Sequence, residues 1–227
     1  MPANYSLEQS ARSRSLTNGG AEVSSKADNA KASAFLKREQ ILQGATRVFL
    51  QHGYAGTSMD RVAAQAGVSK QTIYSHFQDK EGLFTALIER VTTRQLQAEI
   101  GSEPLQIKPS VLLRQIAQGF LAKRGDQEYI SLLRVVVAES ARFPELAQLY
   151  TRTVIKPAHQ QLSVYLGSHP DLNVPDPEAL AQIFLGSLFA FLLSQELLCG
   201  NEAMPIENER LINNLIRLCV AQEDFEA

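Results

Sequence analysis

At 227 residues, with 44% hydrophobic and 20% charged side chains, the chain has the composition of a folded globular protein with room for one sizeable domain or two small ones, and not that of a disordered one. The net charge of −2 is unevenly spread: residues 101–227 hold 10 Lys and Arg against 15 Asp and Glu, residues 34–100 hold 8 against 6, and residues 1–33 hold 4 against 3. The acidic C-terminal part argues against a general DNA-packing protein, because nonspecific binding to phosphates needs net positive charge.

Residues 1–33 are rich in Ser, Ala and Asn, include Gly19-Gly20 and lack a hydrophobic period, which predicts a disordered tail. Its Arg12, Arg14, Lys26 and Lys31 form a solvated leader or a flexible arm. From about Ala34 the pattern changes. Ile41, Leu42, Ala45, Val48 and Phe49 fall at helical spacing, and Gly53 is placed to end that helix. Lys37 and Arg38 lie near its start, and Tyr54 reads as core.

The stretch Thr57–Lys80 reads as two short helices joined at Gly67, followed by the start of a third. Thr57 and Asp60 have the spacing of a capping box. Met59, Val62, Ala63 and Ala66 make one apolar stripe, Gly67 permits a sharp turn, and Ser69 can cap a second helix over Lys70–Phe77. Val68, Ile73 and Phe77 anchor that helix. Lys70, Gln71, Thr72, Tyr74, Ser75 and His76 are left as an outward surface of donors with almost no acid. Such a surface is what the second helix of a helix-turn-helix brings into the major groove. Asp79 caps or opens the next helix. Lys80 sits in its first turn, where a cation is unfavourable beside the helix dipole, so a phosphate would account for it.

Gly53-Tyr54, Thr57-Ser58, Val62-Ala63, Ala66-Gly67-Val68-Ser69, Thr72-Ile73-Tyr74, His76-Phe77 and Asp79-Lys80-Glu81-Gly82-Leu83-Phe84 resemble the N-terminal domain of TetR/AcrR-type transcriptional regulators. The resemblance covers about Phe35 to Leu87 without a gap. It implies an all-α protein of about nine helices. A three-helix helix-turn-helix DNA-binding domain (34–80) would follow the tail (1–33) and precede a helical effector-binding and dimerisation domain (81–227).

After Lys80, Leu83, Phe84, Leu87, Ile88 and Val91 form the apolar face of a long helix reaching about Ile100, ended by Gly101-Ser-Glu-Pro104. Beginning in one domain and ending in the next, it could carry a displacement between them. Five further helices are predicted at about 109–122, 126–142, 144–166, 177–199 and 206–221, with no credible strand alternation. Leu132 to Ala147 resembles, more loosely, the C-terminal domain of AefR-like members. Ala179–Leu198 is nearly long and apolar enough to span a bilayer, but Gln182, Ser187, Ser194, Gln195 and Glu196 interrupt it, so no membrane is expected. Gly186, Ser187 and Ala190 are small enough for another helix to approach closely. The resemblance puts a homodimer interface on Pro177–Cys199 and Ile206–Val220, against the alternative of packing within one subunit.

For double-stranded operator DNA, Lys70, Gln71 and Thr72 are the candidates nearest base edges. Tyr74 and His76 are candidate phosphate contacts, with Thr57 and Lys80 from flanking helix starts. Gln71 stands where many family members have a glycine or proline and could read an adenine. The resemblance implies a small-molecule effector among the middle helices. There Phe120, Tyr129, Phe143, Tyr150, Tyr165 and Phe184 are the available aromatics, and Arg134, Glu139 and His159 the polar groups. Each is also an ordinary core or surface residue. The function so implied is a ligand-responsive regulator, a repressor released from a palindromic operator by a small apolar effector. An activator of the same fold, or a helical small-molecule-binding protein without DNA function, stays open.

No catalytic, metal or cofactor call is made: GxSxG, HExxH, P-loop and dinucleotide glycine motifs do not occur, and His76 has no partner at a ligand spacing. Cys199 and Cys219, the only cysteines, lie in apolar helical stretches and read as reduced structural thiols, with a redox sensor as the alternative. The N-terminus lacks the apolar core of a signal peptide, and a cytoplasmic location is expected.

Overall fold

The computed structural model describes residues 18–100 and 106–220, and among these it is helical, with no strand. Ten helical segments follow in order: α1 (Asn18–Gly56), α2 (Met59–Ala66), α3 (Lys70–Phe77), α4 (Lys80–Ile100), α5 (Pro109–Ala122), α6 (Gln127–Glu139), α7 (Pro144–Tyr150), α8 (Lys156–Ser168), α9 (Pro177–Leu192) and α10 (Asn208–Val220). A π turn at Thr151–Ile155 joins α7 to α8 in one rod, so nine continuous helices are described. Pro157 explains that turn: it has no N–H to donate, and its ring crowds the carbonyl four residues back.

The expected tail over residues 1–33 is helical from Asn18. α1 begins at Asn18, not near Ala34, while residues 1–17 lie outside the described residues. The stretch from Ala21 to Ala34 holds five Ala, the best helix former, but no hydrophobic period, so a reading based on that period passes over it. Burial begins where that period begins: Ile41, Leu42, Ala45 and Phe49 are fully enclosed, whereas residues 31–37 are exposed. Gly53 interrupts α1 with φ 66°, after which one more turn runs to Gly56. The predicted break at Gly101–Pro104 lies outside the described residues.

Two apolar cores hold the fold. The first packs α1, α2, α3 and the start of α4 together with Tyr129, Ile130, Leu133 and Val136 of α6 and Leu146, Leu149 and Tyr150 of α7. The second joins α5, α8, α9 and α10. The apolar core of the three N-terminal helices continues into the C-terminal half through α6 and α7. The stretch Pro177–Leu197 is long and apolar enough to cross a membrane by length and composition. One face of it, Ala181, Phe184, Leu188 and Phe191, belongs to the second core.

An ion network ties these helices together and had no sequence signal. Arg90 of α4 pairs with Glu128 of α6 and donates to Thr46 Oγ1 of α1 at 3.0 Å, and Thr46 Oγ1 also donates to Glu128 at 2.8 Å. Glu39 of α1 stands 3.8 Å from the same guanidinium.

Candidate nucleic-acid interface

Helix α2 buries Met59, Val62, Ala63 and Ala66 as its spacing predicts. Its capping differs by one residue. Ser58, not Thr57, is the N-cap and accepts from the Arg61 N–H at 3.3 Å. Because α1 runs on to Gly56, Thr57 lies just past its end and folds inward, 4% exposed, giving its hydroxyl to the Gly53 carbonyl at 2.8 Å. Gly67 ends α2 in the left-handed region (φ 64°), and its N–H reaches back to the Ala63 and Ala64 carbonyls. Two residues later Ser69 caps α3 by accepting from Thr72 N–H at 3.1 Å. This is the sharp two-helix turn that the sequence describes. It is braced from α1, where Gln40 donates to the Ala66 carbonyl at 2.7 Å and the Arg38 guanidinium lies over the Phe77 ring.

Helix α3 buries Ile73 and Phe77 and turns its other side outward. Lys70, Gln71, Tyr74 and Ser75 are exposed, and Thr72 and His76 are half-buried at the edges. Tyr74 is 44% exposed, so its ring and hydroxyl stand clear of the core. Lys70 pairs with Asp60 at 2.9 Å on the open surface, a contact that water and salt weaken and a phosphate can displace. Thr72 shares a 2.8 Å bond with Ser69. The face offers cationic, amide, phenolic and hydroxyl donors within two helical turns.

Lys80 stands at the first residue of α4, the helix that follows α3. Its ammonium donates to the Tyr54 carbonyl at 2.9 Å and the Thr57 carbonyl at 3.4 Å, and lies 4.3 Å above the centre of the Tyr54 ring. Burial pulls this amine below the usual lysine range, while Glu139 and Glu145 pull in the other direction. A cation at the start of α4 is thus accounted for by the carbonyls left open at the end of α1. Asp79 caps α4 as expected, accepting from the Gly82 N–H at 2.7 Å.

The nine effector candidates are spread over both cores and their surface. Tyr129 and Tyr150 meet, their hydroxyls 3.1 Å apart in the first core. Burial raises both phenols, Tyr150 more strongly. Phe143 meets the Tyr54 ring edge-on at 5.5 Å, and Glu139 stands where a Cβ on Gly53 would come within 2.6 Å of its carboxylate. These two residues form the junction with the N-terminal helices, a long-range role that local spacing does not reveal. Arg134 is exposed and donates to the Glu196 carbonyl at 2.6 Å. Tyr165 donates to the Ile107 carbonyl at 2.9 Å, with burial pushing its phenol up to about 12, and Phe184 is fully enclosed in the second core. Phe120 packs between the two cores, and His159 is half-buried on α8. Cys219 is a buried thiol, as read, but Cys199 is exposed just after the α9 rod ends.

Two short helices at a tight turn, braced by a third, with a donor-rich second helix outward, define a helix-turn-helix DNA-binding protein. Residues 41–87 match the profile of bacterial regulatory proteins of the tetR family, and residues 111–222 match that of the AefR-like transcriptional repressor C-terminal domain. The transcriptional repressor AcnR of Corynebacterium diphtheriae is 33% identical over 140 residues, spanning 62% of this chain and 71% of that protein. AcnR of Corynebacterium glutamicum is 44% identical over 66 residues, 29% of this chain and 34% of that protein. In three dimensions the chain is similar to the flavonoid-responsive regulator FrrA, with 27% identity, a TM-score of 0.61 and coverage of 82% of this chain and 93% of FrrA. The chain belongs to the TetR family and is a DNA-binding transcriptional regulator.

Proposed function

We propose that the protein is a ligand-responsive repressor that binds a palindromic operator as a homodimer. The observation that carries this reading is the outward side of α3. Lys70, Gln71 and Tyr74 are exposed there, while Ile73 and Phe77 lock the helix to the core. Lys70, Gln71 and Thr72 would reach base edges from the N-terminal end of α3, and Tyr74 and His76 would hold phosphates. In this reading residues 34–80 form the DNA-binding unit, and residues 81–227 receive the effector and pair the subunits.

The dimer is proposed on α9 and α10. Each sends one face into its own core and leaves the other uncovered, with Ile183 58% and Leu218 81% exposed. Pairing those faces would set two α3 helices at successive major grooves about 34–36 Å apart. An effector that prefers a differently spaced dimer would release DNA by its difference in affinity for the two states. FrrA is a flavonoid-responsive regulator, which supports a small and largely apolar effector here.

The test is binding of the purified protein, at fixed salt, to the DNA upstream of its own gene against a scrambled competitor. Specific binding with two subunits per site is expected. No binding even at low salt, where phosphate contacts are strongest, would overturn the reading.

A further inference from the structure

A cavity of about 580 Å³ opens where the end of α5, the C-terminal end of the α9 rod and the start of α10 meet. Small-molecule sites occupy about 300–1,000 Å³, so this one is of ordinary size. At its base the Arg124 guanidinium is held by three bonds: Nε to Glu196 Oε1 at 2.7 Å, Nη1 to Asn208 Oδ1 at 2.6 Å and Nη2 to Asn201 Oδ1 at 2.8 Å. A guanidinium has five N–H groups, so one remains on each terminal nitrogen. Beside it lies Gln195, only 3% exposed, whose amide donates to the Met204 carbonyl at 3.2 Å and whose Oε1 accepts no hydrogen bond from the described residues. Gln195 and Glu196 belong to a π turn, Leu193–Leu197, a departure from α geometry that is frequent at functional sites. Arg210 and Glu207 stand exposed on the rim, and Pro205 and Ile206 supply an apolar wall.

We infer that this cavity binds a small carboxylic acid that carries a hydroxyl group on an apolar body. Glu196 is paired with Arg124 and Glu207 shares the rim with Arg210, so the carboxylate is held not by excess charge but by charge-assisted hydrogen bonds from Arg210 and the remaining Arg124 N–H groups. The hydroxyl donates to Gln195 Oε1, and the apolar body lies on Pro205 and Ile206. The site is also one residue from α4. Lys123, next to Arg124, donates to the Thr92 carbonyl at 3.4 Å and lies 4.8 Å over the Tyr129 ring. Its role as an effector site rests on the ligand-responsive reading above; binding of the acid does not.

The test is calorimetric titration of the full-length protein with 4-hydroxycinnamate, its uncharged amide, and cinnamate, which lacks the hydroxyl. The acid binds once per subunit, the amide about tenfold more weakly, and cinnamate several-fold more weakly. Arg210→Gln weakens 4-hydroxycinnamate about tenfold, whereas Glu207→Gln, which removes a repelling charge, tightens it about two- to threefold. Both side chains are exposed on the subunit but lie at the start of the segment proposed for the dimer, so the sedimentation of each variant is compared with the parent. Opposite shifts with the same assembly state do not arise from misfolding or lost pairing. No binding of any of the three compounds at millimolar concentration, or equal affinity in Arg210→Gln and the parent, overturns the inference. Because no DNA is present, a protein that takes the acid but ignores every operator refutes the repressor reading alone. One that holds its operator but not the acid refutes this site alone.

Discussion

The Lys80 ammonium lies 4.3 Å above the Tyr54 ring and donates to the Tyr54 carbonyl at 2.9 Å, while the same ring meets Phe143 edge-on at 5.5 Å. One aromatic side chain thus joins the start of α4, the end of α1 and the corner between α6 and α7. Lys80→Met removes two hydrogen bonds to carbonyls at the end of α1 and should cost about 1–2 kcal/mol, read from denaturant unfolding. Operator affinity should fall because the helix-turn-helix is less firmly held, with an unchanged dependence on salt. A salt slope reduced by about one would make Lys80 a phosphate contact as well.

The Arg90 guanidinium joins α4 to α6 through Glu128 and to α1 through Thr46. Arg90→Met should destabilise the fold by about 1–3 kcal/mol, since it removes the charged donor to Glu128 and the donor to Thr46 Oγ1, leaving Glu128 only the Thr46 hydroxyl. In a double-mutant cycle with Glu128→Gln the coupling should exceed about 1 kcal/mol. Additive single effects would mean that the three helices are held by their apolar core alone.

On α3, Tyr74→Phe should weaken operator binding and leave dimerisation untouched, because the exposed hydroxyl has no hydrogen bond among the described residues to lose. Gln71→Ala should change the preference among operator bases. An equal loss across all sequences would assign Gln71 to the phosphate backbone.

Leu218 is the most exposed large apolar side chain among the described residues. Leu218→Glu should shift the sedimentation of the protein from dimer to monomer with its helical circular dichroism intact. Operator affinity should drop at least about tenfold, since two half-sites are no longer held by one particle. A dimer that survives both Leu218→Glu and Ile183→Glu would place the interface elsewhere.

Alkaline pH should destabilise the protein. Burial pushes the Cys219 thiol from 9.0 up to about 11 and the Tyr165 phenol from 10.0 up to about 12. These groups ionise first in the unfolded chain. Their full contribution is therefore present below pH 9, and stability declines as pH rises through 9 to 12. Cys219→Ala should flatten the fall between pH 9 and 11 in urea midpoints measured across that range. An unchanged slope would show that the thiol is not shielded.

The period of the apolar residues was enough to locate the helices from Ile41 onward, though not the start of α1. Ile41 to Phe49, Met59 to Ala66 and Leu83 to Ile88 are buried as their spacing requires, and the ends at Phe77, Ala122 and Pro144 agree with the structure. The outward side of α3 was equally legible, because Ile73 and Phe77 leave its other positions no way to be buried. These are local properties: a helical turn and its cap depend on residues three or four apart. What Thr57, Lys80, Glu139 and Phe143 do was decided only by the tertiary structure. Each meets a partner through the Gly53–Thr57 segment at the end of α1, and in three of the four cases that partner is more than 20 residues away. The Arg90 network joins residues 38 and 44 positions apart. A charged or aromatic side chain declares its chemistry in the sequence, but its partner is chosen by how the helices pack.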